Sequence, residues 1–176
     1  MANNRKIILV TAPKHDSKMA FHSIYSELKT IPKNKFEVHF AYITSPNQLA
    51  LFIKNIAETK KIDILIIGGH GNPDSIFLEG EARIGRVRRT YCIDKSTLKS
   101  KLFDGIDQCF SLNAVCYLAS CSTGGHQGSI ADEISKRFKI KTYAPIIDTT
   151  FKISVKRDGN LEFMYEYGSP NMFYNN

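Results

Sequence analysis

No apolar run in the chain approaches the roughly 18 residues of a membrane-spanning helix, so a helical membrane protein is not expected. The N-terminal "MANNRKIILVTAPKHDS" holds an apolar stretch of only about five residues, too short for the core of a signal peptide. Cysteine is scarce: 4 residues, without a signal peptide, read as free thiols in a reducing compartment and not as a disulfide framework. A cytoplasmic location follows as the expectation, with export by a specialised system left open. No G-x-S-x-G elbow occurs, which excludes the usual serine hydrolase. No aromatic-rich RNA platform or DNA-reading motif occurs, so nucleic acid is not an expected partner. Repeats, low-complexity tracts and linkers are absent as well. One domain over 1–176 is therefore expected, with the tail 168–176 loosely held.

The 176 residues, 43% hydrophobic and 23% charged, suffice for one real core. The net charge is +7, and part of it clusters at Arg83, Arg86, Arg88 and Arg89. Such a cluster is either a solvated basic flap or a site for a polyanion.

Strand and helix signals alternate along the chain. "RKIILVTA" (5–12) and "FEVHFAYI" (36–43) read as strands, and 16–30 carries apolar residues at helical spacing. Ser45-Pro46 starts a second helix. "IDILIIGG" is apolar past Asp63, as a strand buried on both faces would be. Residues 75–93 break the rhythm and suggest a β-hairpin or flap. A short helix follows over 95–104, then a strand over 114–120, a helix around 126–138 and a strand over 140–145. Asp158-Gly159 between alternating runs marks a C-terminal hairpin over 151–167. This order predicts an α/β fold: a mostly parallel central sheet with helices on both faces. Ligand sites in such sheets lie at the carboxyl ends of the strands.

Two stretches end strands in a similar way. "ILIIGGHG" places His70 just past one strand, and "VCYLASCSTGG" places Cys121 just past another, 51 positions later. If those strands are neighbours, the imidazole and the thiol share one cleft. A thiolate is a nucleophile, and an imidazole can hold its proton. The Gly71 and Cys121 amides are candidates for an oxyanion hole, since glycine leaves the approach unobstructed. A helix start after Cys121 would favour the thiolate. Cys109 and Cys116 read as core residues and Cys92 as inert. A zinc site from His70, Cys116, Cys121 and His126 fits no closed four-ligand spacing, so no metal is expected.

The two motifs resemble those of the caspase–hemoglobinase fold, clan CD, of cysteine peptidases. In that fold a strand ends in His-Gly and the next core strand ends in the catalytic Cys about 50 residues later. "GNPDSIFLEG", "LNAVCYLASCSTGG" and "SIADEISKRFKIKTYAP" resemble CHAT domains and the self-processing cysteine peptidase domains of large bacterial toxins. The likeness covers about residues 60–165. It implies a caspase-like three-layer sandwich, His70 as base or proton donor, Cys121 as nucleophile, and the Gly71 and Cys121 amides as oxyanion hole. The caspase Gln-Ala-Cys-Arg-Gly signature is absent, and small Ala119 stands two residues before the nucleophile. The substrate pocket is expected from Lys14 and Asp16 after the first strand, from Ala119, and from Asp148 after the fifth. By the same resemblance the arginines at 83–89 are where inositol hexakisphosphate would bind as an activator. The expected function is a cysteine endopeptidase acting on a peptide or protein. The alternatives are an inactive scaffold of the same fold and a flavodoxin-like module that holds phosphate or a polyanion on the "GGHG" amides.

Overall fold

The computed structural model describes residues 5–14, 22–78 and 91–173. Six strands form the main sheet: β1 (Lys6–Pro13), β2 (Phe36–Ile43), β3 (Ile62–Gly68), β7 (Phe110–Ala119), β8 (Lys141–Ala144) and β11 (Asn171–Phe173). Their order is β11-β8-β7-β3-β1-β2. All pairs are parallel except β11 with β8. The chain is thus an α/β protein with a mostly parallel sheet, as the alternation of strand and helix signals predicts. Among the described residues no helix is long and apolar enough to cross a membrane.

β1 shows why these runs become central strands. Seven of its eight residues are buried. Side chains alternate between faces along a strand. Ile7 and Leu9 therefore join one core cluster, with Leu49 and Ile53 of α2 (Pro46–Ala57) and Ile130, Ile134 and Phe138 of α4 (Ile130–Phe138). Ile8 and Val10 join another, with Ile24 and Leu28 of α1 (His22–Leu28) and Phe151 and Ile153 of β9 (Phe151–Val155). α2 begins where Ser45-Pro46 predicts: the Gln48 amide donates to Ser45 Oγ at 3.3 Å. Such a cap contributes about 1 kcal/mol.

β9 pairs antiparallel with β10 (Leu161–Tyr165), and Gly159 turns the chain at φ +76°. A second small sheet, β4-β5-β6, joins β4 (His70–Asn72), β5 (Ser75–Phe77) and β6 (Cys92–Asp94), all antiparallel. These strands are the ends of the expected flap. Arg83, Arg86, Arg88 and Arg89 lie outside the described residues, as does Asp16.

Three expectations need correction. The tail is not loose over 171–173: β11 adds to the sheet, and Asn171 Nδ2 donates to the Gly124 carbonyl at 2.6 Å. The helix over 95–104 is a short α3 (Lys95–Leu98) followed by 3₁₀ turns at Lys101–Phe103 and Ile106–Cys109. Asp94 caps α3, accepting from the Thr97 amide at 2.7 Å, while Ser100, extended at φ −70° and ψ 160°, interrupts the helix before the first of those turns. Finally, α4 begins at Ile130, not near 126.

Candidate active site

β3 and β7 are direct parallel neighbours, and Gly68 is the register partner of Ala119. His70 and Cys121 each lie two residues beyond that pair. The two segments stay bonded past the strand ends. The Gly69 amide donates to the Ala119 carbonyl at 3.4 Å, and buried Ser120 Oγ donates to the Gly69 carbonyl at 2.7 Å.

The glycines around His70 are required by close approach. A Cβ on Gly69 would lie 2.7 Å from both Ile76 Cγ2 and the Phe77 carbonyl oxygen. A Cβ on Gly71 would lie 2.6 Å from Thr123 Cγ2 and 2.7 Å from the Cys121 carbonyl oxygen. Real Cβ atoms do not come so near. Gly71 therefore lies directly against the turn that carries Cys121, and only glycine fits there. The half-buried His70 is the first residue of β4, opposite Phe77, and its Nε2 is shielded from solvent.

The turn after β7 is tightly held. Ser122 adopts φ +55°, a left-handed conformation that costs a non-glycine residue about 1–3 kcal/mol unless its surroundings fix it. Those surroundings are the segment after β8. The Ser122 amide donates to the Ile147 carbonyl at 3.3 Å, and Ser122 Oγ donates to Asp148 Oδ1 at 3.0 Å. The Gly124 amide donates to the Pro145 carbonyl at 2.8 Å. Thr123 Oγ1 donates back to the Ser120 carbonyl at 2.9 Å. The Cys121 thiol points to the same segment and donates to the Thr149 carbonyl at 3.8 Å. Among the described residues no backbone carbonyl accepts from the Cys121 amide.

Of the four cysteines, Cys92, Cys109 and Cys116 are buried and Cys121 alone is half-exposed. Burial pushes the Cys116 and Cys109 thiols up, away from the reactive anion. Cys121 is thus the accessible thiol of the four.

The helix expected after Cys121 starts farther along the chain. The start of α4 lies beyond residues 122–129, and its donors are already engaged. The Ile130 amide donates to the Pro73 carbonyl at 2.7 Å, and the Gly128 amide to Asp132 Oδ2 at 2.7 Å.

Among the expected pocket residues, Asp148 is bonded to Ser122, the residue after Cys121. Lys14 is exposed just past β1. Ala119 is only 5% exposed, in the cluster that holds Phe151. Sequence reasoning missed the Ser120 bridge and the Thr149 carbonyl as thiol acceptor. The serine had no signal of its own, and a backbone carbonyl leaves none. A cleft of about 730 Å³ lies elsewhere, between the amino-terminal ends of the strands and β10, lined by Lys6, Asp63, Leu112 and Phe163. It contains neither His70 nor Cys121. The sequence matches no protein-family model and no curated protein.

Proposed function

We propose that the chain is a cysteine peptidase of the caspase–hemoglobinase type, with Cys121 as nucleophile and His70 as its proton partner. The observation that carries this reading is the packing of Gly71 against residues 120–123, which places the two strand-end motifs against each other. The Cys121 sulfur attacks a peptide carbonyl carbon, and the carbonyl oxygen takes up negative charge. In this reading the Gly71 and Cys121 amides receive that charge. His70 holds the thiol proton and delivers it to the departing amine, leaving an acyl-enzyme. Water, deprotonated by His70, then releases the acid and restores the thiol. The small β4-β5-β6 sheet and the β9–β10 hairpin take the places of the expected flap and C-terminal hairpin of a caspase-like sandwich. The arginines at 83–89 remain the place where inositol hexakisphosphate would bind as an activator.

The flavodoxin-like reading keeps one observation in its favour. The order β2-β1-β3-β7-β8 is also the order of that doubly wound fold. It gives no role to a half-exposed thiol at the end of the strand next to the one that leads to His70.

Thiol reactivity separates the two without a substrate. Limiting iodoacetamide on the native protein is expected to alkylate Cys121 first, with Cys92, Cys109 and Cys116 protected by burial. His70→Ala is expected to slow that reaction near neutral pH. Faster reaction at a buried thiol, or an unchanged Cys121 rate in His70→Ala, would remove the dyad and favour the binding module.

A further inference from the structure

We infer that Asp148 is the specificity-determining residue of this site, selecting a lysine or arginine side chain next to the scissile bond. The inference rests on the peptidase reading above and names its substrate class.

The segment 145–149 runs beside the nucleophile turn and is pinned to it at three places: Gly124 to Pro145, Ser122 to Ile147 and Cys121 to Thr149. Asp148 is thus the residue before the one whose carbonyl accepts the thiol hydrogen, and its position relative to Cys121 is fixed by backbone. Its carboxylate is exposed and is held by one hydroxyl, Ser122 Oγ at 3.0 Å. That hydroxyl belongs to the residue following Cys121. Ser122 reaches Asp148 from the left-handed conformation at φ +55°, so the strained turn and the oriented carboxylate are one arrangement.

The chain has 24 lysines and arginines against 17 acids, so cations are in excess. Glu37, Asp104, Asp107 and Asp132 are each paired with a lysine or arginine. Among the described residues Asp148 has no such pair, and neither do Glu58 and Asp63. A carboxylate offers about four acceptor positions, and one hydroxyl uses one of them. The rest suit an ammonium, or a guanidinium binding with two parallel hydrogen bonds. The neighbouring wall is apolar: Ile146 and Ile147 are 45% and 51% exposed. Such a surface covers the methylenes of a long basic side chain while its charged end reaches the carboxylate. Lys14, the other expected pocket residue with a charge among the described ones, makes no hydrogen bond or ion pair with the nucleophile turn.

The test uses two irreversible probes, peptidyl chloromethyl ketones identical except for arginine or leucine at the position next to the reactive ketone. Intact-protein mass and peptide mapping follow alkylation of Cys121. The arginyl probe is expected to react at least about fivefold faster, the ratio corresponding to an exposed ion pair of about 1 kcal/mol. The ratio should shrink with added salt. It should fall to about one in Asp148→Asn and below one in Asp148→Lys. A ratio is insensitive to a general loss of folded protein, and circular dichroism of each variant accompanies it. Equal rates for the two probes in wild type, or an arginine preference that survives Asp148→Asn, overturn the specificity inference while leaving the dyad in place. If neither probe alkylates Cys121 and iodoacetamide does not favour it either, the peptidase reading itself fails.

Discussion

At the scale of single residues, the site depends on close approaches that have little slack. Ser120 is 4% exposed, and its hydroxyl is the direct side-chain link between the His70 and Cys121 segments. Ser120→Ala leaves the buried Gly69 carbonyl without that donor. The cost of an unsatisfied buried acceptor is about 1–3 kcal/mol. We predict a loss of that size in urea unfolding, together with slower alkylation of Cys121. Unchanged stability would show that the two segments are held by strand pairing alone. The sequence announces the chemistry-bearing residues here through their types, since a histidine and a cysteine stand out among apolar and small neighbours. It does not announce Ser120, one of several serines with nothing to distinguish it. Nor does it announce the Thr149 carbonyl, because every residue has one.

At the scale of elements, legibility followed the hydrophobic pattern. β1, β2 and β3 are mostly apolar, and their positions agree with the sequence within a residue or two. α2 had both an apolar face and a chemical start signal at Ser45-Pro46, and both were realised. The errors lie where local pattern is weak and distant contact decides. β11 is three residues long, and a partner 27 residues earlier in the chain defines it: Asn171 pairs with Ala144. The first turns expected of α4 are absent because Pro73, far back in sequence, supplies the acceptor for the Ile130 amide. β7 begins at Phe110, earlier than its apolar run suggests, since Ser111, Leu112 and Asn113 extend the strand although the latter two are exposed. The adjacency of β3 and β7 could only be posed as a condition. Pairing order is a long-range property, and no local propensity encodes it.

At the scale of the whole molecule, the aromatic layer between sheet and hairpin predicts an alkaline limit to stability. The Tyr117 ring stacks on Tyr143 at 5.1 Å and on Phe163 at 4.4 Å. Burial pushes the Tyr117 hydroxyl up to about 12. The Tyr165 hydroxyl, which donates to the Leu118 and Tyr143 carbonyls, is pushed well up by burial too. These folded values lie above the unfolded value of about 10. The stabilisation is therefore complete below about pH 10 and declines as pH rises toward the folded values. Urea midpoints are expected to fall over that range, with the fall beginning later in Tyr117→Phe. A flat profile up to about pH 12 would show that the layer is open to solvent and that these hydroxyls ionise without unfolding.

The same whole-molecule view bears on function, because cleavage requires the two strand ends, the turn after β7 and the segment after β8 to act together. Digestion of a mixed peptide library by wild type, Cys121→Ala and His70→Ala, each checked by circular dichroism, tests that directly. Wild type is expected to release defined new termini, Cys121→Ala none, and His70→Ala to be slower by about 10²–10⁴-fold. Cleavage that persists at full rate in folded Cys121→Ala, or a wild type that cleaves nothing in the library, would contradict the account.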